Sequence, residues 1–127
     1  MNSWTAAAIA ALAVSLASAA SAQDGDAARG QRLFNQQCRS CHTLEKGGAT
    51  TSGPNLYGLF GSKAGTAQGY EFSESMIRSG LIWDDKTVSD YLRDPKAAVP
   101  GTKMVYSGMK QAGQLADMLA YLKQATK

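Results

Sequence analysis

The sequence predicts an all-α fold in a single small domain. Four segments place their apolar residues at the three- and four-residue spacing of amphipathic helices. No segment shows the alternation of apolar and polar residues that is typical of a β-strand. Between residues 43 and 70, where seven of the 13 glycines fall, neither period is present. We therefore expect four helices, a long glycine-rich loop and no sheet.

An uncharged apolar segment precedes the predicted domain. Residues 1–22 contain no Lys, Arg, Asp or Glu, and all 13 basic and 10 acidic residues follow from Asp24 onward. The segment ends in Ala20-Ser21-Ala22, which fits a secretory signal peptide cleaved before Gln23. We expect a signal peptide at residues 1–22, a mature domain at residues 23–127 and export. An uncleaved membrane anchor is the alternative, although Ala and Ser dilute the apolar run.

Size and charge limit the functions that the mature chain can have. A domain of about 105 residues buries well under ~70% of its unfolded surface, so an additional staple is expected. The formal net charge of +3 and the isoelectric point near 9.0 favour acidic partners. No run rich in Lys and Arg is present, which argues against nucleic-acid binding.

The first predicted helix lies within residues 24–38 and begins at an aspartate cap, Asp24 or Asp26. Gly30, Phe34 and Cys38 fall on one face, and the helix delivers the cysteines at its C-terminal end. The loop that follows contains "GPNLYGLFG", which is too apolar for a solvated linker. Loops of this length in compact domains usually serve a ligand, so we expect something large beneath it.

Three further helices are predicted in order along the chain. A short one covers residues 73–79, with Gly80 as its stop. The next begins at the Asp caps of "DDKTVSDYLRDP" and must end before Pro95. The last lies in "GQLADMLAYLKQ", whose apolar stripe should pack on the first helix at Gly30, where no side chain separates the backbones. That stripe consists of Leu115, Met118, Leu119 and Leu122.

The two cysteines and the one histidine of the chain lie together in "CRSCH", as Cys38, Cys41 and His42. A structural zinc site needs four ligands, and the chain has only three Cys and His residues. A thioredoxin-like disulfide belongs with a βαβ pattern, which is absent here. The remaining interpretation is the attachment sequence of a c-type haem. Two thiols at this spacing can form thioethers with the porphyrin, and the adjacent imidazole can bind the iron.

A second axial ligand would decide between electron transfer and ligand chemistry at such a haem. Met76 and Met118 lie in predicted helices and are interpreted as core residues. Met104 and Met109 lie in the loop "VPGTKMVYSGMK", which is better placed to cross an iron face. His/Met ligation is the pattern of electron-transferring cytochromes c.

Four stretches together closely resemble the class I cytochromes c, the group of mitochondrial cytochrome c and bacterial cytochrome c2. They are "GQRLFNQQCRSCHTLEKGG", "GPNLYGLFG", "WDDKTVSDYLRDPKAAVPGTKM" and "LADMLAYLKQAT". The resemblance covers nearly all of residues 24–126 without evident gaps. It implies terminal helices that cross, with shorter helices and glycine-rich loops wrapped around one covalently bound haem.

The resemblance also implies a role for individual residues. Cys38 and Cys41 would carry the thioether bonds, and His42 and Met104 would be the axial ligands of the iron. The carbonyl oxygen of Pro54 would accept a hydrogen bond from the His42 ring, as outer partners of metal-bound histidines generally do. The three remaining cofactor-binding residues are Trp83 and Thr102, which would bind haem propionates, and Tyr91, whose hydroxyl would lie near the Met104 sulfur.

Three positions depart from the pattern of the resembled family. Ser62 stands where Arg is usual, Phe72 where a propionate-binding Tyr is usual, and Met76 where a buried Asn is usual. These changes should weaken or rebuild the binding of the propionates, so we expect a reduction potential that is shifted relative to close relatives.

Partner recognition in the resembled family uses basic side chains around the exposed haem edge. The matching residues here are Arg32, Lys46, Lys96, Lys103 and Lys110. They predict docking onto acidic redox proteins, such as a cytochrome bc1-type donor and an oxidase, reductase or photosynthetic reaction-centre acceptor. The resemblance implies a monomeric periplasmic electron shuttle, not an enzyme. A haem enzyme or gas sensor is the main rival, and a disulfide-stapled module without haem is the third possibility.

Overall fold

The computed structural model describes residue 3, residues 7–14 and residues 25–127. The predicted cleavage position before Gln23 lies outside the described residues, as does most of the predicted signal peptide. Residues 7–14 form neither helix nor strand. Within the described ranges, none of the helices combines the length and the apolar character needed to cross a membrane.

Five helices make up the regular structure of residues 25–127. They are α1 (Ala27–Gln37), α2 (Glu74–Arg78), α3 (Asp85–Arg93), α4 (Pro95–Ala98) and α5 (Ala112–Ala125). Extended backbone pairs at one isolated bridge, between Lys63 and Ile82, and the described chain contains no sheet. The predicted all-α fold is confirmed, and residues 43–70 contain no helix, as expected.

Short polar side chains start the first four helices. Asp26 accepts a hydrogen bond from the Arg29 N–H at 3.0 Å at the start of α1. At the start of α2, the Ser73 hydroxyl accepts one from the Met76 N–H. Asp84 and Thr87 form a reciprocal capping box at α3. The chain turns at Asp94 and enters α4, which the sequence reading missed because four residues are too few to show a period. Its signal was Pro95 at the first helical position behind an aspartate cap.

The terminal helices α1 and α5 cross in close contact at Gly30, as predicted. A Cβ atom built on Gly30 would lie 2.0 Å from the carbonyl oxygen of Asp117 and 2.7 Å from the Cβ of Tyr121. Glycine is therefore required by the approach of the two backbones. Phe34, one turn further along α1, packs its ring 5.7 Å from that of Tyr121.

A buried carboxylate on α5 fixes the start of α1. Asp117 is only 8% exposed, and it accepts hydrogen bonds from the backbone N–H of Asp26 at 2.7 Å and from Nε of Arg29 at 3.1 Å. These donors hold the pKa of Asp117 below its usual range, with the Asp26 N–H as the largest cause. The first turn of α1 is thus bound to a helix about 90 residues later in the chain.

The core lies between the α1–α5 pair, α3 and the long loop. In the apolar stripe predicted on α5, Leu115, Met118 and Leu122 are buried and Leu119 is partly buried. Met76 and Met118 are core residues as expected. The buried apolar residues of the described chain are Phe34, Leu44, Ala64, Met76, Trp83, Val88, Val99, Met109, Leu115, Met118 and Leu122. Several of them form one wall of the cavity described next.

Candidate functional site

A cavity of about 470 Å³ opens between the helices and the glycine-rich loop. Its walls are mostly apolar, with Phe34, Leu56 and Met118 among the residues that form them. All eight site residues predicted from the sequence contribute to its lining, although they come from four separate parts of the chain. They are Cys38, Cys41, His42, Pro54, Trp83, Tyr91, Thr102 and Met104.

The two cysteines reach the cavity because α1 ends at Gln37, just before them and one turn after its last buried residue, Phe34. Cys38 is the C-cap of α1, and its N–H donates to the carbonyl oxygen of Phe34. The N–H groups of Cys41 and His42 both donate to the carbonyl oxygen of Cys38 at 3.0 Å, which coils the segment into a tight turn. Both thiols are free and half-buried. Burial, and secondarily the nearby Cys41, raises the pKa of the Cys38 thiol to about 11, so this thiol is protonated at neutral pH.

The imidazole of His42 is held in one orientation by the long loop. Its Nδ1 lies 2.8 Å from the carbonyl oxygen of Pro54. A carbonyl oxygen can only accept, so Nδ1 carries the proton and donates, and Nε2 keeps a lone pair. Burial lowers the pKa of His42, while the hydrogen bond to Pro54 acts in the opposite direction with smaller effect. The ring is therefore neutral at pH 7, the form that binds metals.

Gly53 is a site residue that the sequence reading missed. A Cβ atom on this buried residue would lie 2.6 Å from Cε1 and 2.9 Å from Nδ1 of the His42 ring. Its N–H donates to the carbonyl oxygen of Cys41 at 2.9 Å, and the Thr51 hydroxyl donates to the same oxygen at 2.8 Å. The loop thereby packs its backbone directly against the imidazole. The position of this glycine immediately before Pro54 was the available signal.

Met104 lines the same cavity as His42. It lies in a segment without regular structure between α4 and α5. Its backbone N–H donates to the Thr102 hydroxyl at 3.4 Å, and that hydroxyl shares a 2.5 Å hydrogen bond with the Tyr91 hydroxyl. Lys103 donates to the carbonyl oxygen of Glu71 at 2.8 Å on the other side. Met104 is thus held between α3 and the residues that precede α2. Burial raises the pKa of the Tyr91 hydroxyl, which stays protonated.

Trp83 and Tyr91 form an aromatic pair at one wall of the cavity, with ring centroids 5.3 Å apart. Trp83 is 9% exposed. Its carbonyl oxygen accepts a hydrogen bond from the Gly61 N–H, and its own N–H donates to the carbonyl oxygen of Ser62. Ser62 and Phe72, two of the departures noted above, also line the cavity, as does Met76. The Ser62 hydroxyl donates to the carbonyl oxygen of Leu59 at 2.6 Å, so it is used within the loop.

The alternatives considered for the cysteine cluster fit this geometry poorly. Among the described residues, no group of three or more His, Cys, Asp or Glu side chains could hold a metal ion by itself. A thioredoxin-like centre would require a sheet, which residues 25–127 do not form. In contrast, two free thiols, a neutral imidazole with an available nitrogen and a methionine sulfur around an apolar cavity fit the donor set of haem c.

Comparison with known proteins gives the same result. The sequence profile of the family described as Cytochrome c matches residues 27–126. Cytochrome c of Theileria parva is 47% identical over 103 residues, which cover 81% of this chain and 89% of that protein. Cytochrome c of Chlamydomonas reinhardtii is 47% identical over 107 residues, covering 84% and 96%, and that of Nigella damascena is 44% identical over 102 residues, covering 80% and 92%. The chain therefore belongs to the cytochrome c family, electron carriers and not enzymes, and it holds one haem c covalently through Cys38 and Cys41.

Proposed function

We propose that this chain shuttles single electrons between membrane-bound redox complexes, periplasmic reductases or both, with His42 and Met104 as the axial ligands. The haem supplies an iron that cycles between Fe(II) and Fe(III). His42 and Met104 would both hold that iron, and the apolar cavity walls would shield it. With both ligands bound, the protein would carry electrons without binding a substrate at the iron.

The orientation of His42 is the observation that carries this proposal. Its Nδ1–H donates a hydrogen bond to the carbonyl oxygen of Pro54, so Nε2 is the nitrogen available to iron. Gly53 lets the loop backbone pack against this ring, since a Cβ atom at that position would lie 2.6 Å from Cε1. A hydrogen-bonded, neutral imidazole is a more basic and better oriented ligand than a free one.

Met104 is the better candidate for the second ligand than Met109. Met104 lines the cavity, and its backbone is tied to Thr102 and through it to Tyr91. Met109 is 3% exposed, does not line the cavity, and donates its N–H to the carbonyl oxygen of Leu92. Met109 is therefore a core residue, packed between α3 and the segment that leads to α5.

Polar groups at the cavity wall support the predicted binding of the haem propionates. Trp83 has an indole N–H to donate, and Thr102 can donate its hydroxyl proton while accepting from Tyr91. We assign both residues to the propionates. The Tyr91 hydroxyl takes the role of fixing Thr102 beside Met104.

The five predicted docking cations, Arg32, Lys46, Lys96, Lys103 and Lys110, are all exposed. Within the described part of the chain, none of the five forms an ion pair, whereas Arg29, Arg78, Lys86, Arg93 and Lys123 do. Their charges are therefore available to an acidic redox partner, such as a bc1-type donor or an oxidase or reaction-centre acceptor. Attraction of this kind mainly raises the rate of association.

Spectroscopy of two methionine variants tests the axial ligands. The ferric protein should show a sulfur-to-iron charge-transfer band that Met104→Ala loses and Met109→Ala keeps. Reduced Met104→Ala should bind carbon monoxide, because one axial position becomes open. Ready binding of carbon monoxide by the reduced wild-type protein at neutral pH would instead favour a gas sensor or haem enzyme.

Two lysine variants test the docking surface. Lys46→Gln and Lys86→Gln each remove one positive charge, but Lys86 is paired with Asp90 on α3 at 2.6 Å. Electron transfer to an acidic partner should slow as ionic strength rises, and Lys46→Gln should be the slower variant at low salt. Equal rates for the two variants, or a rate independent of salt, would contradict docking through these cations.

Export and maturation belong to the same proposal. The family match begins at Ala27, so residues 1–22 lie outside it, in agreement with a signal peptide followed by a domain at residues 23–127. Intact-mass spectrometry of the protein recovered from the periplasm should give the mass of residues 23–127 plus one haem. A mass that retains residues 1–22 would support the membrane anchor.

A further inference from the structure

A hydrogen bond crosses the mouth of the cavity between two distant parts of the chain. The Tyr106 hydroxyl donates to Oε1 of Gln37 at 2.6 Å, although the two residues are 69 positions apart. Gln37 is the last residue of α1 and precedes Cys38, and Tyr106 follows Met104 by two positions. Both side chains also line the cavity. The bond therefore joins the haem-attachment end of α1 to the chain that carries Met104.

We call residues 99–111 the Met104 segment, and its other side-chain anchors all lead elsewhere. Thr102 bonds to Tyr91 on α3, Lys103 to the carbonyl oxygen of Glu71, and Lys110 to that of Arg93 at the end of α3. Among the hydrogen bonds of the described residues, the one from Tyr106 alone connects the Met104 segment to α1.

Little else restrains the Met104 segment just after Met104. Val105 is 98% exposed, so the other residues of the described chain barely cover it, although it lines the cavity. Gly101 and Gly108, at φ values of 90° and 113°, bound a stretch that has no regular hydrogen bonding. The Tyr106 ring packs partly against the core, but its hydroxyl reaches the surface at Gln37. Residues with so few buried contacts open locally at low cost unless a specific bond holds them.

We propose that Tyr106 is a positioning residue, whose hydroxyl uses Gln37 to latch the Met104 segment across the cavity mouth and so holds Met104 in place. The proposal rests on the assignment of Met104 as an axial ligand. With the latch closed, the Met104 segment would keep an outside ligand from the iron. With the latch open, Met104 would move away together with its segment.

The latch predicts how much the apparent affinity for an added ligand should change when the Tyr106–Gln37 hydrogen bond is removed. A small ligand such as imidazole competes only with the open form, so its apparent affinity scales with the open fraction. Loss of one neutral hydrogen bond should raise that fraction about two- to tenfold. Tyr106→Phe keeps the packed ring and Gln37→Met keeps the length of the side chain, so each variant removes the bond while preserving shape.

The experiment titrates imidazole into the ferric holoprotein and follows loss of the sulfur-to-iron charge-transfer band. Each single variant should bind imidazole about two- to tenfold more tightly than the wild type. The double variant should show no further gain, because either change alone removes the whole bond. Tyr121→Phe is the matched control, since its hydroxyl has no hydrogen bond in the described chain and lies outside the cavity lining. It should leave the affinity unchanged.

Amide hydrogen exchange gives a second readout that needs no added ligand. The Met109 N–H lies in the Met104 segment and donates to the carbonyl oxygen of Leu92 at 2.8 Å. Its protection should fall by the same factor in Tyr106→Phe, while amides in α5 keep their wild-type protection. Unchanged imidazole affinity in both single variants, or gains that multiply in the double variant, would overturn the latch. Absence of the charge-transfer band in the wild-type protein would overturn Met104 ligation itself, and the latch with it, before any variant is measured.

Discussion

Replacement of Gly30 by alanine should force α1 and α5 apart and destabilise the whole domain. The added Cβ would lie 2.0 Å from the carbonyl oxygen of Asp117, whereas carbon and oxygen atoms in close contact need about 3.3 Å or more. One backbone must therefore move by about 1.3 Å. The obstructing atoms belong to a helix backbone, which cannot rotate away as a flexible side chain would.

The expected loss is the difference between two opposing terms. Overpacking of a close contact typically costs about 1–3 kcal/mol, and alanine gains up to about 1 kcal/mol over glycine in a helix. Gly113 in α5 offers a matched control, because a Cβ atom there would meet nothing within 4 Å. Gly113→Ala receives the propensity gain without the clash. Because the propensity gain is common to both variants, we expect Gly30→Ala to be about 1–3 kcal/mol less stable than Gly113→Ala.

Thermal and urea denaturation of the ferric holoproteins, followed by far-ultraviolet circular dichroism, would measure this difference. For a domain of this size, about 1–3 kcal/mol corresponds to a melting temperature lower by about 4–24 °C. If Gly30→Ala melted at or above the temperature of Gly113→Ala, the close approach of the two helices would not be what requires glycine at position 30.

Three further predictions concern the site and its supports. Gly53→Ala should lower the free energy of unfolding by about 1–3 kcal/mol and displace the His42 imidazole, which NMR of the Nδ1 proton would detect; an unshifted proton would contradict this. Asp117→Asn should be less stable than wild type at pH 7 in urea denaturation. Because the folded-state pKa of Asp117 is lowered, this difference in stability should shrink as the pH falls below about 4. A difference that stays constant with pH would exclude the carboxylate charge as its cause. Ser62→Arg places a cation at the cavity wall and should raise the midpoint potential in a potentiometric titration, since positive charge disfavours Fe(III); indistinguishable midpoints would refute the idea that Ser62 shifts the potential.

The parts of the fold that could be predicted are those that depend on local pattern. The α5 stripe of Leu115, Met118 and Leu122 is buried because a helix brings residues three and four apart to one face. The Asp84 cap and Pro95 bounded α3 for similarly local reasons. The short α4 had only its cap, Asp94, and its first residue, Pro95, as a signal.

The supports of the site were much harder to predict, because they join residues that are distant in sequence. Gly53 meets His42 only after the long loop folds back, and Tyr106 meets Gln37 across 69 positions. Asp117 sits on the helix that carries the apolar stripe, and its burial depends on donors about 90 residues earlier. No periodicity in one segment records such pairings.

The crossing of α1 and α5 also sets an order of events in the making of the protein. The donors on α1 find their carboxylate only at Asp117, which leaves the ribosome 91 residues after Asp26. This contact therefore cannot form until nearly the whole chain has been made. Cys38 and Cys41 are thus present in the chain before the element that completes their surroundings. A chain cut short before α5 would therefore contain both haem-attachment cysteines but lack the helix against which α1 packs.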